Sequence, residues 1–98
     1  MKFIFTWNKQ KARANLEKHK VGFDEATTVF NDPLLVTYPD ELHSEHEDRL
    51  ISIGMSVREH LLLVVHVERE ATAEGIIIRI ISCRKATPSE RKNYEKGE

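Results

Sequence analysis

The sequence predicts an α+β domain of order β-α-α-β-β-β-β-α, a mostly antiparallel sheet with two N-terminal helices and one C-terminal helix. Three observations carry that expectation. The middle and later chain holds β-type apolar runs separated by short turns, which forces neighbouring strands antiparallel. Residues 9–31 are rich in helix formers and contain an internal glycine stop. Thr87-Pro88-Ser89-Glu90 combines an N-cap hydroxyl, a proline at the first helical position and a glutamate at N3.

Phe3, Phe5 and Trp7 alternate with polar or smaller residues, as in a short half-buried strand. Asn8 is a suitable N-cap for a helix over Lys9 to His19, with Ala12, Leu16 and His19 sharing one face. Gly22 marks its stop. Asp24 to Asn31 reads as a second helix that turns Phe23, Ala26 and Phe30 inward, and Asn31-Asp32-Pro33 ends it. Leu34 to Tyr38 is a strand closed by Pro39-Asp40, followed by an acidic loop to Asp48. A three-strand meander follows at Arg49–Met55, Leu61–Arg69 and Gly75–Cys83, and the capping box starts a helix from Pro88 to about Lys96. The nearly continuous apolar content of the last two strands places them at the sheet centre, covered by helices on one face.

All 98 residues fit one domain, and the 40% apolar and 32% charged content is that of a globular protein. The single cysteine, Cys83, cannot form an internal disulfide. Leu61–Val65 and Ile76–Ile78 are too short to span a membrane, and the first residues lack a sustained apolar stretch, so a soluble cytoplasmic protein is expected. Charge is divided along the chain: residues 1–22 carry a net +5, residues 23–48 a net −8 and residues 49–98 a net +2. A polyanion could meet a local basic surface although the whole chain carries only −1, but on charge alone the favoured reading is that these residues simply solvate helix and loop surfaces.

Cysteine pairs, a Gly-rich phosphate loop and a nucleophile elbow are all missing, which removes several enzyme classes. His43-Ser44-Glu45-His46 has metal-like spacing but sits in an acidic loop, so a solvated loop is favoured and no metal or other cofactor is expected. Arg79 interrupts a run of five isoleucines, and His66 interrupts the apolar run that begins at Leu61. A charged residue in a central strand must face water, a partner or a ligand, because unpaired burial is costly. Arg79 therefore either faces solvent on an open sheet face or serves a phosphate there. Arg84, Lys85, Arg91 and Tyr94 extend that basic and aromatic character toward the last helix, a combination suited to phosphate contact and base stacking.

Trp7-Asn8-x-x-Lys11-Ala12-x-x-Asn15-x-x-Lys18-His19, then Val21-x-Phe23-Asp24-Glu25-Ala26 and Val29-Phe30-x-Asp32-Pro33, resembles the BrnT family of toxins. The resemblance continues at Glu47-Asp48-Arg49, Ile53-Gly54-x-Ser56 and Leu62-Leu63-Val64-Val65. It closes with Ile78-Arg79-Ile80-Ile81-Ser82-x-Arg84-Lys85-Ala86-Thr87-x-x-Glu90-Arg91-x-x-Tyr94-Glu95, its most specific part, and so covers nearly the whole chain. The family usually has aspartate where Asn8 stands, a change that keeps the N-cap role. It usually has glycine where Lys20 stands, which moves the expected helix stop to Gly22. The resemblance implies a small RelE-like fold and the toxin role of a type II toxin–antitoxin pair, an endoribonuclease that arrests translation. It implies a BrnA-type antitoxin as partner, RNA as substrate, and DNA contact only through the antitoxin complex, with a homodimer or a heterotetramer with antitoxin as the assemblies in view.

Metal-independent RNA cleavage needs a base for the ribose 2′-hydroxyl, cations for the phosphorane and an acid for the leaving oxygen. Arg79 and Arg84 are the expected cations, since a planar fork matches phosphate oxygens. His66 is the expected acid or base, and Arg49, Lys85, Arg91 and Tyr94 are expected to position substrate. The expected register pairs Val65 with Ile78, which sets His66 opposite Ile77 and puts His66, Val64 and Arg79 on the open face. Leu63, Val65, Ile78 and Ile80 then cover the helices, with Arg84 reaching the open face only from the strand end, unless a bulge intervenes. A shift of one residue would instead set His66 opposite Ile78 and bury its ring against the helices. The rival from another class is a non-catalytic module that only holds an antitoxin-type partner. A DNA-binding regulator acting alone is disfavoured by the lack of a helix-turn-helix pattern.

Overall fold

The computed structural model describes residues 2–97, with the backbone but not the side chains of residues 70 and 71. The expected order of elements is observed. Strand β1 (Phe3–Thr6) leads into helix α1 (Lys9–His19), helix α2 (Phe23–Thr27), strand β2 (Val36–Pro39), the meander β3 (Leu50–Met55), β4 (Leu61–Thr72) and β5 (Gly75–Lys85), and helix α3 (Pro88–Lys96). The strands lie in the order β1-β5-β4-β3-β2, antiparallel throughout except for β1, which runs parallel to β5.

Local chemistry sets the element ends. The Asn8 side chain accepts the Lys11 N–H at 3.0 Å and opens α1. That helix stops at Lys20 rather than at Gly22, because Lys20 itself takes the left-handed conformation (φ 61°) and its N–H closes on the Leu16 carbonyl. The second helix tightens into a 3₁₀ turn over Thr28–Asn31, so only its first half is α-helical. Asp32 then accepts the Leu34 N–H in a side-chain turn, and this delays β2 to Val36. The Thr87 capping box is present in full, with the Thr87 hydroxyl accepting from Glu90 N–H and the Glu90 carboxylate accepting from Thr87 N–H.

One face of the sheet carries the main core and the other is covered in part, which corrects the expectation of helices on one face alone. On the first face α1 and α2 bury Val21, Phe23, Ala26, Val29 and Phe30 against Leu62, Val64, Ile78, Ile80 and Cys83. On the second, Tyr94 of α3 and nearby Ala86 pack on Ile53, Leu61 and Leu63. Strands that are apolar at successive positions need cover on both sides.

The register between β4 and β5 also differs from expectation. Val65 pairs with Ser82, but His66 pairs with Ile80, so Ile81 is an extra residue in a β-bulge. His66 and Val64 consequently point to the first face, where His66 is fully buried. Its ring stands edge-on to Phe30 with centroids 5.0 Å apart, and its Nε2 meets the Ser52 hydroxyl at 2.7 Å. Burial alone pulls its pKa down to about 4, so this imidazole is neutral.

Candidate active site

The bulge at Ile81 decides the site. Arg79 and Arg84 are five positions apart and in a regular strand would point to opposite sides. Arg79 pairs across to Val67, Ser82 to Val65 and Arg84 to Leu63, so all three side chains share the second face. His66 points away from both arginines. The expected alliance of His66 with Arg79 is therefore overturned, and a side chain sealed beneath Phe30 cannot reach an RNA as acid or base.

One row across the second face runs Tyr38, Ile51, Val65, Ser82. A neighbouring row runs Val36, Ile53, Leu63, Arg84. The first row together with Leu63 of the second forms the floor of a groove of about 430 Å³, whose walls include Asp40 and His43 from the turn after β2, His19 from α1, and Arg49, Arg84 and Glu90. Arg79 stands on the same face, beyond the groove wall.

Each arginine is held by a carboxylate. The Arg84 guanidinium forms a fork with Glu90 at 2.8 and 2.9 Å and also donates to the Lys85 carbonyl at 3.2 Å. That fork keeps the Glu90 carboxyl below its usual range and raises Arg84 further. Glu47 joins the other two: its carboxylate accepts from Arg79 Nη2 at 2.6 Å and lies 3.6 Å from Arg49 Nε. The Arg79 hydrogen bond is the main cause of the lowered Glu47 pKa. Burial pushes the Tyr38 hydroxyl up.

The remaining expected residues lie outside the groove. Lys85 and Arg91 are exposed. Tyr94 packs in the second core and donates its hydroxyl to Asp32 at 2.6 Å, and burial first, then Asp32, pushes its pKa to about 12. Tyr94 is thus a brace between α3 and the turn before β2. His43 and His46 belong to no cluster of three metal-ligating side chains among the described residues.

Sequence reasoning missed Tyr38, Asp40 and His43 as a group. The signal lies in the Tyr38-Pro39-Asp40 turn and in His43, three residues after Asp40, a spacing that lets a carboxylate meet an imidazole within one turn.

A profile described as "Ribonuclease toxin, BrnT, of type II toxin-antitoxin system" matches residues 7–90. The chain belongs to the BrnT family. The matched span takes in Arg49, Arg79, Arg84 and Glu90. Among solved structures, the Brucella abortus ribonuclease toxin BrnT, determined at 1.1 Å, superposes with a TM-score of 0.60 at 21% identity. The match covers 89% of this chain and 99% of that one, so the two share the BrnT fold. No curated protein matches the sequence. Among the described residues no helix of this BrnT-family chain is long and apolar enough to cross a membrane.

Proposed function

We propose that this chain is a metal-independent endoribonuclease toxin of the cytoplasm that cleaves RNA, arrests translation and is neutralised by a BrnA-type antitoxin. The observation that carries the reading is the Ile81 bulge, which sets Arg79 on the sheet face of Arg84, beside an open groove that Arg49 also lines. Guanidinium forks match phosphate oxygens and stabilise charge that grows on the phosphorane. Tyr38 on the groove floor offers a ring for a stacked base. Phosphate replaces carboxylate at Arg84 and Arg79 as RNA enters, since both ligands are anions of similar geometry.

Chain made by cell-free synthesis is expected to degrade a mixed-sequence RNA in the presence of EDTA and to stop on adding the antitoxin. Arg84→Ala and Arg79→Ala are expected to abolish growth arrest and cleavage while the fold persists. Undiminished activity in either variant removes that arginine from the site. The occupied forks favour a second reading, a non-catalytic module that only holds its antitoxin-type partner. It predicts no RNA degradation by the free chain.

A further inference from the structure

With His66 sealed in the core, the groove needs another proton acceptor, and its wall carries one. His43 lines the groove together with Arg49 and Arg84, and its side chain is 65% exposed. Its Nδ1 lies 3.1 Å from each carboxylate oxygen of Asp40, while Nε2 has no partner among the described residues. Asp40 is nearly buried and firmly held. Its N–H donates to the Arg49 carbonyl at 2.9 Å, and its own carbonyl accepts from the Ser44 hydroxyl at 2.6 Å. The Ser44 hydroxyl in turn accepts the Arg49 N–H at 3.1 Å, so the turn carrying His43 is pinned to the strand that carries a groove arginine. A carboxylate on one ring nitrogen fixes the tautomer in which the other nitrogen is an acceptor.

From this geometry we propose that His43 is the general base of the groove and that Asp40 is its positioning residue. This rests on the ribonuclease reading above. Nε2 takes the proton of a ribose 2′-hydroxyl, and the freed oxygen bonds to the adjacent phosphorus. The bond from phosphorus to the 5′-oxygen breaks, that oxygen takes a proton from water in the open groove, and His43 returns its proton to solvent. The products are a 2′,3′-cyclic phosphate and a 5′-hydroxyl, with no oxidant, reductant or metal consumed.

The test follows cleavage of a fluorogenic oligoribonucleotide by the full chain and by His43→Ala, His43→Gln, Asp40→Asn and His19→Gln, each checked for its fold by circular dichroism. His43→Ala and His43→Gln are expected to lose about 10²–10⁴-fold in kcat. Added imidazole is expected to restore part of the rate to His43→Ala and none to His43→Gln, whose side chain fills the space. Asp40→Asn is expected to lower kcat about tenfold or more with KM unchanged, the mark of a misaligned base rather than a damaged binding surface. A folded His43→Ala at the wild-type rate overturns the assignment, and so does a loss that imidazole cannot rescue. Loss in His19→Gln with retention in His43→Gln passes the role to His19. In those outcomes the ribonuclease reading stands as long as wild type cleaves and Arg84→Ala does not, whereas an inert wild type removes both.

Discussion

Lowering the pH from 7 to 5 is expected to weaken this fold by about 2 kcal/mol through one buried imidazole. His66 has a pKa of about 4 in the fold, set by burial, against an ordinary unfolded value of about 6.5. Between those values the unfolded chain binds the proton and the folded chain does not, so stability falls as pH falls. The loss begins near the unfolded value and reaches about 3 kcal/mol by pH 4. Carboxylates contribute at lower pH. Glu90 and Glu47, held down chiefly by Arg84 and Arg79, lose their stabilising share only as pH falls through their depressed folded values. In Glu25 and Asp32 burial pulls upward but hydrogen bonds outweigh it, so these two titrate in the same low range. Urea unfolding followed by circular dichroism at pH 7 and pH 5 measures the effect, which corresponds to a midpoint shift of about 1 M or more. His66→Gln keeps a polar group for Ser52 but cannot titrate, and its midpoint is expected to move far less. Equal shifts in wild type and His66→Gln would refute the reasoning.

Three further perturbations test the fold around the groove. Lys20→Gly is expected to stabilise by about 0.5–1 kcal/mol, since glycine relieves the left-handed strain at φ 61° and gives back part of the gain in chain entropy; a thermal melt rising by a few degrees checks it. Asn15→Ala is expected to cost about 3 kcal/mol or more by urea midpoint, because the Asn15 amide satisfies the buried Val21 and Cys83 carbonyls and its oxygen accepts the Cys83 N–H. Gly54→Ala is expected to cost about 1–3 kcal/mol by the same measure, as a Cβ there would stand 2.7 Å from Leu35 Cδ1 and 3.1 Å from Val29.

Features fixed by local chemistry were legible in the sequence. The Asn8 cap, the Thr87 capping box, the Asp32-Pro33 stop and the succession of helices and strands along the chain follow from residues within a few positions of one another. The pairing of β4 with β5 depends instead on how both faces of a long hairpin are covered. Isoleucines at five of six successive positions give no alternation by which to choose a register or to locate the extra residue. That one residue carried Arg84 onto the face of Arg79 and separated His66 from both. The Lys20 stop was illegible for a different reason, since lysine in a left-handed conformation contradicts its own preference and is held there by the packing of α1 against β5. The His43–Asp40 pair is local, three positions apart in one 3₁₀ turn, but only the pairing of β2 with β3 and of β4 with β5 places that turn on the wall of a groove that Arg84 also lines.

The parallel pairing of β1 with β5 also orders events in time. During synthesis Phe3 precedes its partner Ile76 by roughly seventy positions. At about 5–20 residues per second, β1 waits several seconds for its neighbour in the sheet. The meander can pair before then, but β1 cannot join the sheet, and Arg84 with its Glu90 partner arrives later still. A nascent chain halted anywhere before β5 therefore has no assembled groove, because Ser82 and Arg84, which line it, have not yet been made.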